Sequence, residues 1–176
     1  EVRTERDLCE QATGVALVAN LPRSEAANVE VALAAHVLAH VTPKDLAAQL
    51  GEAGVKVLDA TTHLRSTEDG GFASEPGFDD FLSEHIPGAQ FADLQGALSD
   101  AESSFRFTVP SAGQFARSVG DLGITASDEV VIYSSTHPMW ATRMWWLFRL
   151  FGHQTVKLLD GGLSAWKAAG LAVGVD

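Results

Sequence analysis

The chain has 176 residues, a formal net charge of −11, 46% hydrophobic residues and 20% charged residues. That length suits one domain with a sizeable core, and the composition is that of a globular protein rather than a disordered one. The acidic excess argues against nucleic acid or an anionic membrane surface as the main partner, and no apolar run nears the roughly 20 residues of a membrane span.

One cysteine, Cys9, leaves no disulfide framework within the chain, which fits a reducing, cytoplasmic setting. The first residues, Glu1-Val-Arg-Thr-Glu-Arg-Asp, have neither the basic nor the apolar stretch of a secretory signal. The chain opens on Glu1 rather than Met, as a processed chain or a fragment would. Residues 1–40 read as an extension, helical over its Ala- and Val-rich end. His36 and His40 would share a face of that helix, but no third ligand accompanies them, so a surface or packing helix is the reading.

The ordered domain is expected over 41–176. Thr42 is a suitable N-cap and Pro43 a suitable first helical residue, with Leu46 and Leu50 on one face of the helix that follows. Residues 55–59, Val-Lys-Val-Leu-Asp, read as the first strand. Residues 61–77 are rich in Ser, Thr, Glu and Gly and read as a loop. A short helix over 78–84, a turn at Pro87-Gly88 and a short strand over 90–93 come next. After a connecting loop over 97–109, Ser111 opens a helix closed by Gly123.

Residues 129–133, Glu-Val-Val-Ile-Tyr, are the clearest strand. A polar loop, Ser134-Ser-Thr-His137, separates it from an aromatic helix that begins at Pro138 and runs to about 151. Its Trp and Phe residues read as core. A strand over 156–160, a Gly161-Gly162 turn and a helix from Leu163 finish the domain. The alternation predicts a mostly parallel sheet with helices on both faces. A strand, a tight loop and a helix N-terminus form a cradle of backbone N–H groups, and the strand's carboxyl end is where α/β proteins place their chemistry. His63 and Arg65 fall just past the first strand, near the same crevice.

Several stretches together resemble the rhodanese family, the thiosulfate and 3-mercaptopyruvate sulfurtransferases. They are Asp59 closing its strand, His85-Ile-Pro-Gly-Ala, Val130-Val-Ile-Tyr before the loop, the run from Arg143 to His153, and Leu159-Asp-Gly-Gly-Leu-Ser-Ala-Trp166. The resemblance covers roughly 41–173 and implies a three-layer α/β/α domain with a mostly parallel five-stranded sheet. It implies persulfide chemistry at a cysteine directly after the central strand, with no cofactor and no metal. Here that position is Ser134, whose hydroxyl forms no persulfide. The related phosphatase pattern, Cys-x5-Arg, is absent as well.

Two positions depart from mercaptopyruvate-type members: Gln95 stands where they carry Asp, and Phe107 where they carry His. That leans toward thiosulfate or another donor. The run from Arg143 points to the cysteine-less N-terminal half of tandem members, whose active site lies between the halves. On that resemblance the active-site-like loop is Ser134, Ser135, Thr136, His137, Met139 and Trp140. Asp59, Thr62, His63 and Arg143 support it or line a wall, and the partner is a second rhodanese domain in the same product or another chain. The other reading is a stand-alone inactive module that binds a small anion, such as a sulfur oxyanion, or a protein. Arg143 serves that anion or pairs with Asp59 or Asp160.

Overall fold

The computed structural model describes residues 40–175. Cys9, His36 and the expected N-terminal helix lie outside them. The elements in chain order are β1 (His40–Val41), α1 (Pro43–Gln49), β2 (Val55–Asp59), β3 (Thr62–Ser66), β4 (Phe72–Pro76), α2 (Phe78–Ser83) and β5 (Gln90–Phe91). They continue with α3 (Ala112–Asp121), β6 (Glu129–Tyr133), α4 (Pro138–Leu150), β7 (Val156–Leu159) and α5 (Gly162–Ala168).

Five strands form one sheet in the order β1-β7-β6-β2-β5, every pair parallel. β6 is central, and Val130 to Tyr133 are all 0% exposed. A strand covered on both faces must be apolar at consecutive positions, which is why this run was legible. On one face Val130, Ile132, Leu58 and Val156 pack with Phe115 of α3 and with Trp140, Met144, Leu147 and Phe148 of α4. On the other, Val41, Val57, Val131, Tyr133 and Leu159 pack with Leu46 of α1, Phe81 of α2 and Leu163 and Trp166 of α5. The result is the expected three-layer α/β/α arrangement.

Local chemistry sets the helix starts. The Thr42 hydroxyl accepts from Asp45 N–H at 3.2 Å with Pro43 opening α1, and the Ser111 hydroxyl accepts from Gln114 N–H at 3.2 Å. Buried Trp140, Ala141, Met144, Leu147 and Phe148 recur at helical spacing along α4.

Three expectations change. The stretch 61–77 is not a plain loop: it holds an antiparallel hairpin, β3 with β4, in register from Thr62↔Pro76 to Ser66↔Phe72. Its tip closes through Thr67 N–H to the Gly71 carbonyl at 2.9 Å, with Gly70 at φ +80°. Its strands have no deeply buried face, so they lack the alternation that marks a strand. The strand 55–59 is not the first, because His40–Val41 adds β1 at the sheet edge against β7. The expected strand 156–160 ends at Leu159, and Asp160 instead turns its carboxylate onto His40 Nδ1 at 2.6 Å.

Candidate functional site at the carboxyl end of the central strand

β2 and β6 end side by side, with Asp59 opposite Tyr133 in the register. Asp59 is 1% exposed. Its Oδ1 accepts from Thr61 N–H at 2.8 Å and from the Thr61 hydroxyl, and its carboxylate also takes a hydrogen bond from the Tyr133 hydroxyl. The Tyr133 oxygen in turn accepts from Ile86 N–H at 3.2 Å. Burial raises the Asp59 carboxyl above its ordinary range, and the hydrogen bonds from Thr61 and Tyr133 partly offset that rise. Burial, then the Asp59 charge, pushes the Tyr133 phenol upward, so it stays a donor.

This network reaches the loop. Thr61 Oγ1 accepts from Ser135 N–H at 2.9 Å, and the Thr136 hydroxyl donates to the Thr62 carbonyl at 2.9 Å. Ser134 Oγ accepts from Thr136 N–H at 3.3 Å. His137 caps α4, its Nδ1 accepting from Met139 N–H at 3.1 Å, while its carbonyl accepts from Trp140 N–H at 3.2 Å. Position 138 is proline and has no N–H. The expected cradle is therefore closed on itself. The N–H groups of Ser135, Met139 and Trp140 are spent inside the chain, and that of Thr136 turns onto Ser134. An orphan N–H set at a helix start attracts anions only while it is orphaned.

The back of the loop is equally tight. Gly162, at φ +58°, lies so close that an added Cβ would sit 2.4 Å from the Ser134 carbonyl oxygen. Gly162→Ala is expected to cost about 2–4 kcal/mol through this clash and the left-handed backbone. A urea titration checks it, and a loss under about 0.5 kcal/mol would mean the turn yields freely.

The supporting residues divide. Thr62 is buried beneath the loop, and His63 Nε2 lies 2.8 Å from Asp80 Oδ2 of α2. Met139 is exposed, but Trp140 is 5% exposed and packs into the core against Phe107, ring centroids 5.2 Å apart. Trp140, expected in the active-site-like loop, thus has its ring in the core. Arg143 pairs with neither Asp59 nor Asp160. It donates to the Phe107 carbonyl and lies 5.7 Å over the Phe107 ring, with its Nε buried and unbonded. Asp59 is occupied by Thr61 and Tyr133, and Asp160 by His40. Desolvation lowers the Arg143 pKa.

Phe107 stands at φ +57°, alone among the described non-glycine residues in that region. Neither Phe107's backbone role nor Thr61 was foreseen as part of the site. Thr61, two residues past a strand-end Asp, was the available signal for a local side-chain cap.

Two clefts flank the loop and share Ser135, Thr136 and Ser164. One, of about 300 Å³, also holds His40, Ser134 and Asp160; the other, of about 280 Å³, holds Asp80, Glu84 and Lys167. Lys167 Nζ is committed to Glu84 at 2.6 Å, as His40 is to Asp160. The basic groups lining both clefts are thus already paired with carboxylates. A larger groove, about 620 Å³, lies away from this loop, between α3 and the end of α4, and is lined mainly by apolar residues such as Phe115, Phe148 and Phe151.

A parallel five-stranded sheet between two helix layers, with a loop and capped helix following its central strand, defines a rhodanese fold. A rhodanese-like domain model matches residues 42–169, and the chain belongs to the rhodanese family. It is 39% identical over 128 residues to thiosulfate/3-mercaptopyruvate sulfurtransferase 2 of Arabidopsis thaliana, covering 73% of this chain and 35% of that protein. It is 36% identical over 119 residues to thiosulfate sulfurtransferase of Bos taurus, covering 66% and 37%. Among solved structures it is similar to SseA, a 3-mercaptopyruvate sulfotransferase of Escherichia coli, with a TM-score of 0.69 and 29% identity over 78% of this chain and 50% of that one. The chain thus spans about a third of the length of these two curated relatives. Among the described residues no helix is long and apolar enough to cross a membrane.

Proposed function

We propose that this rhodanese-like domain is the non-catalytic half of a sulfurtransferase. The whole protein would move sulfur from thiosulfate or 3-mercaptopyruvate to a thiophile such as cyanide. The persulfide cysteine would come from a second rhodanese domain, in the same product or a partner chain, and this domain would lend one side of the site between them. The observation that carries the reading is Ser134 directly after β6, in a loop whose Ser135, Thr136, Met139 and Trp140 N–H groups are engaged within the chain. A thiolate in the family's chemistry needs those donors free to hold negative sulfur. The names of the relatives supply the substrate class.

The second reading, an inactive module with a partner of its own, keeps one supporting observation: large exposed rings at Phe72 and Phe105. Its small-anion version is opposed by the committed cations of both clefts.

The test is cyanolysis. With thiosulfate or 3-mercaptopyruvate and cyanide, the chain alone is expected to give thiocyanate at buffer background. Turnover by the chain alone overturns the reading. Joined to whatever rhodanese domain its own reading frame encodes beyond it, the protein is expected to turn over. A reading frame without such a domain, and no partner chain that restores activity, favours the inactive module.

A further inference from the structure

The groove between α3 and the end of α4 has apolar walls and an exposed rim. Phe115 and Val119 come from α3, Phe148 and Phe151 from the end of α4, and Ile124 from the turn after α3. Its walls are firmly set: Phe115 stacks on Phe151 with ring centroids 4.5 Å apart and meets Phe148 edge-on at 5.3 Å. Ala112, Ala116 and Ala126 line it too and are exposed. Its volume of about 620 Å³ is that of an occupied site rather than a surface dimple. His153 lines the same groove, and its buried Nε2 has no hydrogen-bond partner among the described residues. Buried polar atoms are normally partnered, which favours an occupant over an empty groove.

The chain itself arrives at this groove. β1 runs parallel to β7, with His40 opposite Leu158 and Val41 opposite Leu159. The residues before His40 therefore approach from the amino end of β7, where Gln154 and Thr155 line the groove. Leu158 back to Thr155 is about 10 Å of strand, which residues 37–40 span when extended. The run from Val29 to Leu38 has only Glu30 and His36 as polar residues. As the helix that its Ala and Val content predicts, it is apolar almost all round, and such a helix has to be covered. Its alanines suit a groove rimmed by alanines, because small side chains at the contact shorten the distance between helix axes. The run also precedes residues 42–169, which match the family, so it is an addition to the shared domain.

We propose that residues 29–37 of the same chain fill this groove, laid across α3 and the end of α4 and covering Phe115, Phe148 and Phe151. A second copy or another apolar partner would have to displace a run tethered about 10 Å away, and so short a tether holds it at millimolar effective concentration. The groove reaches the residues that lead into β6 and β7, at the amino end of the sheet, while the Ser134 loop follows the carboxyl end of β6. Docking there leaves the loop's face free. The inference therefore stands apart from the sulfurtransferase reading and holds or fails without it.

The test is paramagnetic relaxation on the full, isotope-labelled chain carrying Cys9→Ser and Asn28→Cys, with a nitroxide on the introduced thiol. Amide signals of residues 112–119 and 124–126 are expected to be quenched, and those of the β3–β4 hairpin to survive. Ala116→Arg, at an exposed position of α3, is expected to restore the quenched signals with an unchanged circular dichroism spectrum. In that variant thermolysin is expected to cut within residues 29–39 about tenfold faster, because cleavage follows the population of the open form. Quenching that is absent, or that falls elsewhere, overturns the proposal. So does quenching or cleavage that Ala116→Arg leaves unchanged. A nitroxide chain mixed with a labelled chain that lacks the nitroxide is expected to give no quenching. Quenching across that mixture makes a second copy the occupant and overturns the proposal as well.

Discussion

Asp59→Ala is expected to destabilise the domain by about 3–5 kcal/mol, read as a lower urea midpoint at unchanged slope. The carboxylate is the meeting point of Thr61 N–H, the Thr61 hydroxyl and the Tyr133 hydroxyl, all in a region closed to water. Truncation strands three donors at once. It also frees Thr61, whose hydroxyl holds Ser135 N–H, so the loop loosens along with the core. The informative contrast is Asp59→Asn. Its oxygen can take the Thr61 donors, and the Tyr133 hydroxyl can turn to accept from its NH2. This substitution is expected to stay within about 1–2 kcal/mol of the parent at neutral pH.

The pH dependence of that contrast has a definite sign. Burial raises the Asp59 carboxyl in the folded state, above the ordinary value of 3.8. The folded state therefore holds the proton more tightly than the unfolded one. The group's contribution to stability is fully present below the unfolded value and is lost as pH climbs through the folded one. As pH climbs through the folded value the parent takes on a buried charge that the amide never carries. Lowering the pH relieves the parent and not the variant. Asp59→Asn should accordingly compare worst with the parent in acid and best near neutrality. Equal damage from Asn and Ala at neutral pH would contradict this account, and so would an Asn variant whose standing improves on acidification.

What could be read from the chain alone follows from where its information is local. β2 and β6 lie between two helix layers, so Val57-Leu58 and Val130 to Tyr133 have to be apolar in succession. Caps at Thr42 and Ser111, and Pro138 at the start of α4, act within one turn and were equally visible. The hairpin was not, because its residues face solvent or one another and give no period-2 signal. β1 was not, because two residues become a strand only by pairing with β7.

The site divides in the same way. Ser134 could be placed from the end of an obvious strand. The closure of its loop could not, since Ser135 N–H is taken by Thr61, 74 residues earlier. Arg143 had two plausible carboxylates in the sequence. It took a carbonyl instead, 36 residues away, on a residue whose backbone sits at positive φ. Nothing in the local sequence marks Phe107 for that conformation. Trp140 read both as core and as part of the loop, and its ring lies in the core with Phe107 packed against it.

Ser134→Cys is expected to leave cyanolysis at background, although it restores the atom that the family's chemistry uses. A thiol at this position would meet the Thr136 N–H that now reaches Ser134 Oγ. The Ser135, Met139 and Trp140 N–H groups would remain on Thr61 Oγ1, His137 Nδ1 and the His137 carbonyl. With those three donors taken, the thiol pKa should stay near its free value of about 8.5, and thiolate would be scarce at neutral pH. Each donor missing from such a site costs about a hundred- to a thousandfold in rate. Three together put transfer below detection. Thiol titration by iodoacetamide alkylation against pH separates these causes from a misfolded variant: a folded Ser134→Cys chain should react with a midpoint close to that of a small thiol. Adding Thr61→Val releases Ser135 N–H and should shift that midpoint downward. Single-site Ser134→Cys turnover, or a midpoint already depressed by two units or more, would mean that the loop reopens around sulfur and that serine alone keeps this domain silent.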